Sequence, residues 1–333
     1  MKTIINLSFF LCFAFSLYGQ TYKKAPKTKR VAGVEIDSVQ TLSGLNLGDT
    51  QHGFLYDSLI IYKGNLYTGI IKVNNKKRIC QIYNFKEGKI DGKQIQFDES
   101  GYYFDENYYE NGLYTKKISY FSNGQINCIE KYKNGLIDGE IINYDRKGRL
   151  VYKRNYDMGR SVGEFKSYFS NGELCCIGSY KNYLKSGKWL FYGLPRGSIR
   201  YLRQEENYVN GLKEGKWLTY HSNGNIATEI NYLNDSLSGN SFSFKENGQK
   251  IEESFYKNGF LEGKYTSYYS NGKLKKIGQF VKGYYSGDWN FYHENGEFHM
   301  TLTYNQKGHI IDCKGDCDRA MFLQIQSNLN RED

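Results

Sequence analysis

Aromatic positions recur along this chain at a fixed spacing, separated by polar turns that carry glycine. The segment Gly263-Lys-Tyr-Thr-Ser-Tyr-Tyr-Ser-Asn-Gly272 follows the same plan as Gly215-Lys-Trp-Leu-Thr-Tyr-His-Ser-Asn-Gly224, and the plan repeats over 163–172 and 287–296. Glycines open the units at Gly69, Gly92, Gly139, Gly163, Gly187, Gly215, Gly239, Gly263 and Gly287, with Thr115 in that place once. The steps between them are 23, 23, 24, 24, 24, 28, 24, 24 and 24 residues, and the long step carries the insertion Gly193-Leu-Pro-Arg-Gly-Ser198. Self-similarity at such a period is the mark of a repeat architecture.

Each unit reads as two strands and two turns. Two residues after the opening glycine stands an apolar or aromatic residue, as at Ile71, Ile141, Phe165, Trp189, Trp217, Tyr265 and Trp289. Five residues after it stands another aromatic: Phe97, Tyr120, Tyr144, Tyr168, Tyr192, Tyr220, Phe244, Tyr268 and Tyr292, the first unit departing with Asn74. A tip such as Asn123-Gly124 or Asn271-Gly272 follows. Asn and Gly tolerate the positive φ of a type I′ hairpin turn, which is the turn predicted there. A second strand then reaches Tyr132, Tyr156, Tyr180, Tyr208, Tyr232, Tyr256 or Phe280, and a second turn, often Asn-Gly-x-x-x-Gly, leads to the next unit. The two aromatic positions of the first strand have opposite parity, so either the glycine introduces a bulge or both faces carry rings. The expected fold is all-β: an elongated antiparallel β-meander of about ten tandem hairpin repeats of ~24 residues, each stacked only on its neighbours. Twenty strands at about 4.8 Å spacing would extend roughly 95 Å.

The ends read differently. Residues 1–19 have the layout of a secretory signal peptide: a basic start at Lys2, an apolar run from Ile4 to Phe15, and Gly19 before Gln20. That apolar run is shorter than the ~20 residues a spanning helix needs. Residues 20–53 form a lead-in whose stretch Val31 to Asp37 suits an edge strand, the repeat array covers 54–312, and 313–333 form a C-terminal cap. In the cap, apolar residues at 321, 322, 325 and 329 have helical spacing, and Asp318 is placed to start a short helix over the last sheet edge.

Composition supports many strands and turns: 32 Tyr, 20 Phe and 36 Gly against 2 Pro. Removing residues 1–19 takes away one lysine, so the charge becomes 44 − 35 = +9. The lysines are spread through the repeats, which argues against nucleic acid as partner, and the denser run Lys23 to Arg30 reads as a solvated linker. Six cysteines remain after the signal: Cys80, Cys128, Cys175, Cys176, Cys313 and Cys317. Cys128 and Cys176 lie two units apart, about 19 Å at four strand spacings, beyond disulfide reach. The first four therefore read as packed thiols. Cys313 and Cys317 are close enough to bridge, with free thiols and metal binding as alternatives.

With its period, its Gly-x-Trp/Tyr-x-x-Tyr-x-x-Asn-Gly core and its Tyr-x-Asn-Gly-x-x-x-Gly connector, the chain resembles the MORN-repeat variant family over residues 54–312. The resemblance implies a β-hairpin meander that serves as a binding or scaffolding surface. Bacterial members of the variant are often labelled antitoxin-like, which implies a toxin neutralised by direct binding.

Catalytic signals are sparse. Five histidines occur, at His52, His221, His293, His299 and His309. His221 and His293 share the position six after the opening glycine, where Phe121, Phe169 and Tyr269 stand elsewhere, so they read as ladder positions, and no metal site or cofactor is expected. Asp91, Asp138, Glu214 and Glu262 precede opening glycines, which turn chemistry explains without a bound cation. No phosphate loop, nucleophile elbow or metalloprotease motif is present. Candidate contacts are Trp189, Tyr192, Trp217, Tyr220, Trp289 and Tyr292, with inter-unit packing as the competing role, and the irregular loop at Pro195 and Arg196. The expectation is an exported, non-enzymatic module that binds or scaffolds a protein or surface glycan, with a toxin-neutralising protein as the alternative. It would be periplasmic, outer-surface or secreted. Membrane association stays open, without a transmembrane span after cleavage.

Overall fold

The computed structural model describes residues 61–318, apart from 63–64, 67, 76–77, 98–100, 102 and 195–199, together with Leu323. The signal-like segment, the lead-in with its edge strand, Pro195, Arg196 and the C-terminal helix of the cap lie outside the described residues. The chain divides into two compact units, one reaching residue 128 and including 146–148, the other holding 129–145 and the residues from 149 onward. In the first, Gly69–Asn75 pairs with Arg78–Lys86, which pairs with Gly92–Phe97, then Tyr103–Glu110, then Leu113–Tyr120, all antiparallel. The second runs in the same order from the pair Gly139–Tyr144 and Leu150–Asp157 to the pair Phe298–Tyr304 and Ile310–Gly315. The fold is thus the all-β antiparallel meander that the repeat predicts.

The parity question has a double answer, visible at Gly215. Strand Gly215–Tyr220 pairs with Ile226–Leu233 without interruption from Gly215↔Tyr232 to Thr219↔Thr228. The register shifts between Thr219 and Tyr220. Yet Trp217 packs on Tyr208, which bonds Glu206, while Tyr220 bonds the adjacent Glu205, so the two rings face opposite sides of the sheet. Toward the preceding strand the register breaks: Tyr208 pairs with Lys213 and Glu205 with Leu218, so Glu206 and Asn207 oppose the four residues 214–217. Gly215 sits in this bulge at φ 68°, a conformation that side-chain-bearing residues rarely adopt. The glycine introduces a bulge, and both faces carry rings.

The bulge also seats the indoles. Trp189 Nε1 donates to Ser179 O at 3.2 Å, Trp217 Nε1 to Asn207 O at 3.1 Å, and Trp289 Nε1 to Gln279 O at 3.0 Å, each to a carbonyl ten residues upstream. Rings from both strands then pack around each indole. Trp289 lies 4.3 Å from Tyr285, 4.9 Å from Phe280 and 5.5 Å from Tyr265, centroid to centroid. Such pairs contribute about 0.5–1.5 kcal/mol each beyond area burial. Lysine stems cover the outer side: Lys185, Lys213 and Lys276 place their ammonium groups 4.5, 4.6 and 5.4 Å from the centres of Trp189, Trp217 and Trp289. Glycine supplies the floor for two of the indoles. A Cβ at Gly178 would stand 2.1 Å from Trp189 Cδ2, and one at Gly278 2.2 Å from Trp289 Cδ2.

The turns differ from expectation. At the Asn123-Gly124 tip only the glycine has positive φ, 81°. Gly124 N–H donates to Phe121 O and Phe121 N–H to Gln125 O, both at 2.8 Å. That is a type I turn closed by a left-handed glycine, not the predicted type I′ turn. The type I′ signature belongs to the connector between units, where Asn134 and Gly135 have φ 51° and 77°. The tip asparagines instead accept a backbone N–H two residues on, as in Lys273 N–H to Asn271 Oδ1 at 3.0 Å. Their amides reach the next tip: Asn123 Nδ2 donates to Arg146 O at 2.6 Å and Asn271 Nδ2 to Glu294 O at 2.7 Å.

Two stability measurements test this account. Tyr183 occupies the glycine place of a connector at φ 70° and is exposed. Tyr183→Gly is expected to raise the urea-unfolding stability by about 0.5–1 kcal/mol, because the left-handed cost of about 1–2 kcal/mol is removed and some chain entropy is added back. Gly278→Ala is expected to destabilise by about 1–3 kcal/mol through overpacking against Trp289. An unchanged midpoint for Gly278→Ala would show that the ring is free to move off the strand.

Candidate interaction surface

The aromatic candidates separate into two sets. Trp189 and Trp289 are buried at 2% and 0% exposure and Trp217 at 9%, so the three indoles present no open ring face to a ligand. They belong to the packing between units. The tyrosines at the fifth position lie on the opposite face and are half-buried. Arg200 covers the Tyr192 ring at 4.1 Å, and Tyr292 meets Phe298 edge-on at 6.1 Å. Tyr220 donates its hydroxyl to Glu205 Oε1 at 3.0 Å, while Lys188 Nζ holds the other carboxylate oxygen of Glu205 at 2.8 Å. Burial and the Glu205 carboxylate push the Tyr220 hydroxyl up to about 12.

The acidic row does turn work, as sequence reasoning expected, but it also joins one unit to the next. Asp91 Oδ2 accepts the Asn111 N–H at 2.9 Å, Glu214 Oε2 the Asn234 N–H at 3.0 Å, and Glu262 Oε2 the Lys282 N–H at 2.8 Å. Each donor is the left-handed residue of the following connector, about twenty residues on. The ladder reading of His221 also holds: its Nε2 lies 2.9 Å from Phe244 O, in the place where Tyr269 donates to Tyr292 O at 2.7 Å. Among the thiols, Cys175 and Cys176 are free, and burial pushes the Cys176 thiol up to about 12. Cys313 and Cys317 form a disulfide with Cα atoms 6.3 Å apart.

A surface that sequence reasoning missed lies along the connector edge of the second unit. The residue after five of this unit's connector turns is large, apolar and exposed: Leu136 46%, Leu184 47%, Leu212 41%, Phe260 58% and Tyr284 59%, while Arg160 and Ser236 hold that place at two others. These side chains lean toward the following turn, and a Cβ on Gly211 would meet Leu184 Cδ2 at 3.0 Å and one on Gly283 would meet Phe260 Cδ1 at 3.7 Å. Exposed Leu233 and Val281, from the ends of second strands, extend the row. Where neighbouring connectors both carry one, as at Leu184 and Leu212 or at Phe260 and Tyr284, the apolar groups stand about 9.6 Å apart. The signal was present in the sequence as an apolar residue directly after the connector turn at Leu136, Leu184, Leu212, Phe260 and Tyr284.

Comparisons with known proteins agree with the repeat. The family model described as MORN repeat variant matches residues 161–182, 213–234, 237–258 and 261–282. No curated protein matches the sequence. Among solved structures, the chain is similar to one titled "Crystal Structure of TcdB2-TccC3-Cdc42" at 9% identity and a TM-score of 0.18, covering 73% of this chain and 18% of that one. A second, titled "Crystal Structure of TcdB2-TccC3 without hypervariable C-terminal region", is 11% identical at a TM-score of 0.19, covering 75% of this chain and 15% of that one. The chain thus spans less than a fifth of these structures' length, and at those scores the likeness carries no argument.

The Tyr220 contact has a pH signature. Because the folded hydroxyl holds its proton more tightly than a free tyrosine, near 10, its contribution to stability is fully present below about pH 10 and is lost as pH rises toward 12. The difference in urea midpoint between the parent chain and Tyr220→Phe is therefore expected to shrink between pH 9 and pH 12. A difference that stays constant across that range would show that the contact is not protonation-dependent.

Proposed function

We propose that this chain is an exported, non-enzymatic interaction module that holds a protein or surface glycan along its repeat array. The observation that carries the reading is the apolar ridge at the connector edge. Leu184, Phe260 and Tyr284 stand exposed at repeating positions where the fold needs no apolar group, and exposed apolar patches mark interaction sites. The match to a binding-repeat family at four units supports it. Export is supported by the signal layout of residues 1–19 and by the Cys313–Cys317 disulfide, since disulfides persist in oxidising compartments.

Fractionation of cells making the native protein, with intact-mass measurement, tests the reading. A mature chain beginning near Gln20 and recovered outside the cytoplasm is expected. An uncleaved chain in the cytoplasm would overturn it. In the same fractions, the double variant Leu184→Lys with Phe260→Lys is expected to lose co-sedimentation with envelope material while keeping the parent's circular dichroism. Retention equal to the parent would remove the ridge from the binding surface.

A further inference from the structure

Inside the array, a polar ring six residues after the opening glycine meets a backbone carbonyl of the next unit. His221 meets the carbonyl of Phe244, and Tyr269 meets that of Tyr292. His293 holds the same position in the last unit, and the residue 24 places after Tyr292, where the next aromatic would recur, is Asp316. His293 Nε2 lies 3.6 Å from Asp316 Oδ2. A third group departs from the repeat at the same spot: His299 Nδ1 lies 3.4 Å from the same Asp316 oxygen, and the two imidazole rings are 4.3 Å apart.

We propose that His293, His299 and Asp316 form a binding site for a divalent transition-metal cation of the zinc class. The three ligand atoms lie within 4.8 Å of one another. Nitrogen and oxygen ligands about 2.0–2.2 Å from a tetrahedral zinc ion sit roughly 3.3–3.6 Å from each other, which matches both histidine-to-carboxylate distances. Two imidazoles with one carboxylate suit zinc and its neighbours, whereas calcium and magnesium take oxygen ligands. The exposed side of the site leaves the remaining position to water.

The backbone around the site is fixed. His293 and His299 flank one hairpin tip, closed by His293 N–H to Glu297 O at 2.8 Å. Asp316 N–H donates to His299 O at 3.1 Å, which holds the carboxylate residue beside its histidine partner. The Cys313–Cys317 disulfide closes the loop that carries Asp316. Gly315 allows the close approach, since a Cβ there would stand 2.6 Å from His299 O. Sequence reasoning set metal aside because His293 reads as a ladder position; the ligands come from a hairpin and from the residue that follows the strand beside it.

The test is calorimetric titration of the oxidised, chelator-stripped mature chain with zinc chloride, followed by cobalt absorption spectroscopy for coordination. One ion per chain is expected, displacing cobalt. His293→Ala, His299→Ala and Asp316→Asn are each expected to weaken binding by at least the about 10-fold that loss of even an outer-shell partner costs. His221→Ala is expected to leave it unchanged. Absence of stoichiometric binding would overturn the site, as would binding that survives His293→Ala combined with His299→Ala. Loss of binding in the triad variants while His221→Ala behaves as the parent, all with parental circular dichroism, excludes a general folding effect. This outcome is independent of where the protein is exported and of what its ridge holds.

Discussion

The register break at the opening glycine is the constraint on which the rest of the array depends. Where the register breaks, one carbonyl takes two donors, a backbone N–H and a buried indole N–H. The bulge at Gly215 lets the Trp217 N–H reach the carbonyl of Asn207, which also accepts the Glu214 N–H at 3.0 Å. A buried indole N–H without that partner would cost about 1–3 kcal/mol. Once the N–H is anchored, the ring lies flat against the sheet, and its neighbours become the rings of the adjacent strands. Gly178 and Gly278 are the complement, because only a strand without a side chain lets an indole lie that close.

Cohesion between units therefore runs along three lines. In the middle are the rings, whose faces are covered by lysine stems rather than by a second layer. At the tips, asparagine amides reach the next tip, as Asn271 does to Glu294 O. At the connectors, carboxylates such as Glu262 bind the N–H of the next left-handed residue. Each of these bonds spans about one period, so each unit is held by its immediate neighbours, the condition under which repeat stability is a sum of nearest-neighbour terms. A charge at a connector is not a free electrostatic feature here; it is already spent on the backbone of the following turn.

The period, the strand pairs and the role of the acidic row were legible because they depend on residue type at fixed spacing. The turn types were not. Asn-Gly occurs at both ends of the hairpin, and the residues flanking it decide the geometry: at the tip the turn closes over Phe121 to Gln125, while at the connector the strands meet directly across Asn134-Gly135. Tryptophan suggested a ligand platform because its size and polar N–H suit one, yet the same N–H is what commits it to the bulge. The exposed ridge escaped notice for the opposite reason. Leu136, Leu184 and Leu212 look like ordinary strand residues until the connector edge is seen to have nothing packed over it among the described residues.

Identical units satisfy one another and so leave little chemistry to spare; new chemistry requires that a repeat position lose its usual neighbour. His221 and His293 make the comparison directly. They occupy the same position, but His221 meets a backbone carbonyl and His293 meets the carboxylate of Asp316. The carbonyl offers a neutral acceptor that serves one imidazole. The carboxylate brings negative charge, and His299 converges on the same oxygen. Just past the last described strand, an acid stands where the interior units carry an aromatic, and a structural contact of the interior gives way to a proposed ligand set.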